Sequence, residues 1–194
     1  MTRLSTFLIA FLLISNRAWT QLAKQANRFM TDFVATEPLK LPLYYREELP
    51  KHNLGDIIKA LASTKIYGFN YKDDSGPFND SLTLTEKERS FLQQQFNQQS
   101  GKIWTKPHFR NWHLVSEDSL KHYHEVDQYF WFSPDRLGGR LYTFSKPVFF
   151  RNDSMCLFYW GYWCGTRCGE GQLALYQKQD GKWKYRFSLF MWES

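Results

Sequence analysis

The sequence predicts an α+β fold in which N-terminal helices pack on a C-terminal antiparallel β-sheet. Three observations carry that expectation. Apolar residues at helical spacing are confined to the first half, as in Leu22, Ala26, Phe29 or Met30, and Phe33 over residues 21–35. From Lys102 onward the chain becomes a series of short aromatic runs broken by turn residues. The two patterns are segregated rather than alternating, which favours an antiparallel sheet with helices set apart over a parallel one. The organisation expected is a signal peptide at 1–20 and a single domain at 21–194, helical to about residue 100 and β-rich from about 101.

The amino terminus opens with Arg3 and an apolar run from Leu4 through Ile14, ended by Ser15-Asn16-Arg17. A basic start and a short hydrophobic core describe a secretory signal, and the run falls short of the roughly 20 apolar residues a membrane helix needs. Ala18-Trp19-Thr20 offers small residues for cleavage before Gln21, with no cysteine nearby to carry a lipid. The expectation is a secreted or periplasmic protein without a stable membrane anchor after cleavage. The formal net charge is +6, and loss of Arg3 and Arg17 lowers it to +4. That mild excess is spread along the chain rather than gathered in a stripe, so no nucleic-acid partner is expected.

The helix at 21–35 is ended by Pro38 and Pro42, and residues 37–50, with three prolines and Tyr44-Tyr45, read as an extended connector. Asn53 is a plausible cap for a short helix over 55–62, in which Ile57, Ile58 and Leu61 share a face. Residues 73–80 form a turn-rich loop. Asn79-Asp80-Ser81 and Asn152-Asp153-Ser154 match a glycosylation acceptor, but such tripeptides are also ordinary turn chemistry. Thr85-Glu86-Lys87-Glu88 is a capping box that starts a helix to about Asn97. That helix buries Phe91, Leu92 and Phe96 and turns the glutamine-rich run 93–99 to solvent.

The strands expected next are near Trp104 and Trp112, then 123–132, 140–150, 156–163, 172–178 and 182–192. The run 156–163 is apolar on both faces and belongs in the sheet interior. In the last strand Trp183, Tyr185, Phe187 and Leu189 alternate with Lys184, Arg186 and Ser188, one face buried and one wet. A two-residue Asp180-Gly181 turn would set Leu173 and Leu175 opposite Ser188 and Arg186. A three-residue loop over 179–181 avoids this by placing Leu175 opposite Tyr185 and Leu173 opposite Phe187.

Cys164 and Cys168 lie in a glycine-rich connection of eight residues, 164–171. Three residues separate them where a thioredoxin-type motif has two, and no βαβ pattern surrounds them, so a structural disulfide is favoured. Cys156, on the strand that is apolar on both faces, reads as a buried inert thiol. His122-Tyr123-His124 would put two imidazoles on one face of a strand, with His113 or His108 as a third metal ligand. Glu125 and Asp127 would then face the other way and could not ligate the same ion without a bulge, so surface or partly buried histidines are the preferred reading and no metal is expected. His122, His124 and Glu125 are also the candidates for acid–base catalysis, although an edge strand bearing charges to discourage pairing explains them equally well. No phosphate loop, nucleophile elbow, dinucleotide fingerprint or zinc-protease helix is present in the sequence, and no cofactor is expected.

Phe144-Ser145-Lys146-Pro147-Val148-Phe149, the loop Cys164-Gly165-x-x-Cys168-Gly169-x-Gly171 and the terminal Gly181-Lys182-Trp183 resemble a family of uncharacterised secreted bacterial proteins. The resemblance covers about the last quarter of the chain. It implies export and a shared β-hairpin framework, supplies no activity, and does not include Cys156. The function expected is a non-enzymatic binding domain that takes an extracytoplasmic ligand or protein, with an aromatic cleft between helix and sheet as the place for it. The alternatives are a hydrolytic enzyme using a His/Glu cleft, or a structural or protein-interaction module.

Overall fold

The computed structural model describes residues 21–37, 39, 41–69, 80–106, 108–126, 139–165 and 167–194. Residues 1–20 expected as a signal peptide, Asn79 of the first acceptor-like tripeptide and residues 127–132 of one expected strand lie outside them. The chain divides into two units, 1–37 and 38–194. In the first, helix α1 (residues 21–36) forms where predicted, with Phe29, Met30 and Phe33 buried but Leu22 of the expected stripe exposed. The rings of Phe29 and Phe33 stack at 6.3 Å on one face, and the hydroxyls of Thr31 and Thr36 donate to carbonyls four residues back.

The second unit is an α+β fold. Its elements are β1 (Leu43–Arg46), β2 (Glu48–Leu49), α2 (Lys51–Ala60), β3 (Lys65–Tyr67), β4 (Ser81–Thr83), α3 (Glu86–Asn97), β5 (Gly101–Lys102), β6 (Trp112–Val115), α4 (Glu117–Val126), β7 (Leu141–Phe144), β8 (Val148–Phe150), β9 (Met155–Gly165), β10 (Cys168–Gln179) and β11 (Lys182–Glu193). A seven-stranded sheet runs β11-β10-β9-β7-β1-β6, with β8 following β7 along the same edge of β9. Two small ribbons, β2–β5 and β3–β4, complete the strands.

The sheet is mixed, not antiparallel, because the stretch expected to be a connector supplies a strand. Leu43-Tyr44-Tyr45-Arg46 pairs in parallel with both β6 and β7. Leu43 and Tyr45 are fully buried while Tyr44 and Arg46 are half-covered, the alternation of a strand that prolines flank but do not enter. The ring of Tyr45 meets those of Trp104, Trp112 and Phe144 edge-on at 5.5–5.9 Å.

Helix α2 begins earlier than expected. Pro50, with φ −56° and extended ψ of 144°, is its N-cap, its carbonyl accepting from the Leu54 amide at 3.0 Å while its missing N–H costs the helix no bond. Asn53 therefore caps nothing; it lies inside the helix and donates to the Tyr159 hydroxyl at 2.6 Å. Helix α3 carries the predicted capping box, with the Thr85 hydroxyl accepting from the Glu88 amide and the Glu88 carboxylate accepting from the Thr85 amide. Leu92 and Phe96 are buried as expected, whereas Phe91 is exposed. The glutamine run is not simply solvated. Gln99 is buried and grips the Lys146 backbone, accepting from its amide at 2.7 Å and donating to its carbonyl at 3.2 Å. This holds the Ser145-Lys146-Pro147 kink between β7 and β8, where Ser145 supplies both its amide and its hydroxyl oxygen to the backbone of Tyr159.

The C-terminal hairpin corrects the predicted register. Lys178 pairs with Trp183 and Gln179 with Lys182, leaving Asp180-Gly181 as a two-residue turn, with φ of 51° and 76°. Positive φ at both central residues is what a type I′ turn requires. The conflict that argued against this turn is resolved inside the strands. Register shifts at Leu175/Tyr176 and Leu173/Ala174 set Tyr176 opposite Tyr185, Leu175 opposite Phe187 and Leu173 opposite Phe190. Each bulge inserts one residue and flips the faces that follow. The apolar stripe of β11 is thereby divided, with Trp183 and Tyr185 on one sheet face and Phe187, Phe190 and Trp192 on the other. Strand β9 lies in the sheet interior as predicted, and residues 155–160 are all buried.

Asn152-Asp153-Ser154 belongs to the turn between β8 and β9, in which Arg151, Asn152 and Asp153 all have left-handed φ of 53°, 53° and 60°. The Arg151 guanidinium fixes that turn to α3 through Glu88 at 2.7 Å and to the Thr83 carbonyl at 2.6 Å.

Candidate ligand-binding groove

The eight-residue connection expected between β9 and β10 is absorbed into the strands, which zip from Met155–Gln177 to Gly165–Cys168. Cys164 and Cys168 form a disulfide across the tip, with Cα atoms 5.0 Å apart. A ring this small removes little chain entropy, about 2 kcal/mol by the loop relation.

Three glycines shape the sheet behind the tip. Gly161 and Gly171 face each other across β9 and β10, and Gly169 pairs with Trp163. A Cβ at Gly171 would overlap Trp192, approaching its Cε2 at 2.7 Å and its Nε1 more closely still, and one at Gly169 would meet Trp192 Cζ3 at 3.2 Å. The bare backbone is therefore a seat for the Trp192 indole. From it Nε1 donates to the Tyr159 hydroxyl at 3.0 Å, and the ring contacts Trp163 at 5.2 Å. Tyr159 thus accepts from both Asn53 and Trp192, and burial pushes its phenol far above the ordinary value, keeping the proton on it. Trp163 is 38% exposed at the end of this row.

An open groove of about 420 Å³ lies at the same end of the sheet, lined by Tyr162, Arg167, Cys168, Gly169, Glu170, Glu193 and Ser194. It is a polar site with one aromatic ring, that of Tyr162, in its lining. The Arg140 guanidinium stands 4.1 Å from the Tyr162 ring centroid. Burial first, and then the neighbouring Glu170 carboxylate, raise the Tyr162 phenol so that it remains a donor at neutral pH. Two carboxylates, a guanidinium and a phenol present acceptors and donors within one concavity, the equipment for orienting a polar ligand. A neighbouring dimple edged by Trp160, Met191 and Trp192 has about 10 Å³, room for no more than a water molecule.

The histidine candidates lie elsewhere. The segment expected as a strand from Tyr123 is the end of α4, so positions 122 and 124 are about 200° apart around a helix instead of sharing a strand face. His122 and Glu125 are exposed on that helix. His113, on β6, stacks on Tyr44 at 4.8 Å. His108 is packed among Trp104, Phe109 and Trp112, where burial lowers its pKa and favours the neutral ring. Among the described residues no three His, Cys, Asp or Glu side chains are grouped to hold a metal ion. Cys156 is fully buried, and burial raises its thiol well above the ordinary value, which makes it unreactive as the sequence suggested.

The helical state of 117–126 had a signal in the sequence. Ser116-Glu117-Asp118-Ser119 is an N-terminal cap with acids in the first turn, and the Ser116 hydroxyl accepts from the Ser119 amide at 3.1 Å. The buried Glu47 adds a second cap by accepting from the Glu117 amide at 3.0 Å, while its carboxylate also holds Lys102. Leu120 packs against Val115 and Leu141 beneath this helix. The groove itself had no sequence signal beyond the Cys and Gly residues of the tip, since Tyr162, Glu170 and Glu193 come together only through the pairing of three strands. Among the described residues no helix is long and apolar enough to cross a membrane. No protein-family model, curated protein or solved structure matches this chain.

Proposed function

We propose that the chain is a non-enzymatic binding domain working outside the cytoplasm, and that the groove at the disulfide end of β9, β10 and β11 takes its ligand. One observation carries the reading. The groove of about 420 Å³ joins Tyr162, Arg167, Glu170 and Glu193, whereas the acid–base candidates His122 and Glu125 stand on α4 and contribute nothing to its lining. On this reading the ligand is taken at the end of the sheet, not between helix and sheet. The disulfide supports the compartment, because a bridge with an exposed cysteine persists where the surroundings are oxidising. The secretory signal and the resemblance to secreted bacterial proteins agree with it.

A thermal-shift screen of residues 21–194 against sugars, peptides, lipids and metals, with a chelator control, tests the reading. A ligand at 100 times its Kd adds about 2.7 kcal/mol of stability. Arg167→Ala and Glu170→Gln are expected to abolish the shift, and His122→Ala to preserve it. A shift that disappears with His122→Ala or Glu125→Gln and survives the groove substitutions would return the site to α4 and favour catalysis.

A further inference from the structure

Three features of the hairpin tip bear on the chemistry of the disulfide. Cys168 is exposed and forms part of the groove wall, and Cys164 is partly exposed, so an attacking thiolate can reach the bond. The bond is also redundant for the fold, since β9 and β10 are already paired from Gln177–Met155 to Gly169–Trp163, and the covalent link adds one further rung at Gly165–Cys168. The third cysteine is kept out, because Cys156 is fully buried and its Sγ contacts its own strand at the Leu157 carbonyl, 3.6 Å away. Exposed disulfides that the fold does not depend on are the exchangeable ones.

We propose that Cys164–Cys168 is a thiol–disulfide exchange site, open to thiol reductants outside the cytoplasm, whose cleavage loosens the wall of the groove without unfolding the sheet. A thiolate attacks Cys168 Sγ, forming a mixed disulfide and breaking the Cys164–Cys168 bond. Cys164 departs as a thiolate and takes up a proton. A second thiolate attacks the reductant's sulfur in the mixed disulfide, releasing Cys168 and an oxidised reductant, so that two thiols lose two electrons and the chain gains them. The exposed Arg167 beside Cys168 stabilises the thiolates formed at the tip. The inference holds whatever ligand the groove takes.

The test uses the folded protein with glutathione at millimolar concentration, followed by alkylation and peptide mapping. Cys164 and Cys168 should become labelled together while Cys156 stays unlabelled, and Cys164→Ser incubated with oxidised glutathione should form a mixed disulfide at Cys168, one glutathione leaving as its thiolate. The Cys164→Ser/Cys168→Ser variant should remain folded, with Tm lowered by less than about 10 °C. The proposal is overturned if Cys164 and Cys168 become labelled only when urea also exposes Cys156, or if the double variant fails to fold. Loss of ligand binding in the Glu170→Gln variant with exchange intact would leave both proposals standing. Exchange without any ligand response would remove the binding proposal alone.

Discussion

Gly171→Ala probes the seat of Trp192 directly. A Cβ at this position meets the indole at Cε2, Cζ2 and Nε1, the first two at 2.7 and 2.9 Å, where ordinary contact begins near 3.4 Å. The backbone cannot retreat, because Gly171 is paired on one side with Gly161 and on the other with Trp192. The indole must therefore swing away, giving up its bond to the Tyr159 hydroxyl and its contact with Trp163. The hydrogen bond is worth about 1 kcal/mol and the ring pair about 0.5–1.5 kcal/mol. Against this, Ala gains roughly 0.5–1 kcal/mol over Gly from the unfolded chain. The net expectation is a loss of about 0.5–2 kcal/mol in urea unfolding, with tryptophan emission shifted to the red as Trp192 meets water. The decisive control is the double-mutant cycle with Trp192→Ala, in which Gly171→Ala should cost nothing or stabilise. An equal cost of Gly171→Ala in both backgrounds would show that the glycine is there for another reason.

Two other substitutions test the buttresses of the fold. The Arg151 guanidinium, and after it the Thr85 amide, hold the Glu88 carboxyl down to about 2, so its contribution is complete above the unfolded value near 4.5 and disappears as pH falls from there toward 2. After allowance for solvent screening, Glu88→Gln should cost about 1–2 kcal/mol at pH 7 by urea titration; a deficit that stays constant down to pH 2 would break the link to ionisation. Tyr159→Phe leaves the Asn53 amide and the Trp192 indole N–H without their shared acceptor, and should cost about 2–4 kcal/mol by chemical denaturation. A loss below about 0.5 kcal/mol would mean that this hydroxyl anchors neither element.

The parts of the fold legible in the sequence were those set by neighbours in the chain. The capping box at Thr85, the doubly apolar strand β9 and the existence of the last hairpin, though not its two-residue Asp180-Gly181 turn, each depend on a few adjacent residues. Leu43-Tyr44-Tyr45-Arg46 was obscured because its four residues sit among prolines, and it is a strand only through β6 and β7, some 70 and 100 residues later. The bulges in β10 and β11 left no trace either. A regular alternation in the sequence implies one wet face, whereas a sheet covered on both sides rewards a strand that changes face. For the candidate site, the two cysteines and the glycines were readable as a tight clasp, but the groove needed Glu193 from the last strand beside Glu170 and Tyr162. His122 and His124 misled because their spacing suits a strand, and the Ser116 cap decides for helix.

The meander β9-β10-β11 also governs the order in which the molecule can assemble. Its strands are consecutive, long and joined by tight turns, so each pairing closes only a short loop of chain. The partners of β1 must be brought together across most of the chain, at a much larger loss of conformational freedom. The meander is thus the natural nucleus, and it is synthesised after the elements amino-terminal to it. The amino-terminal half must wait for its template.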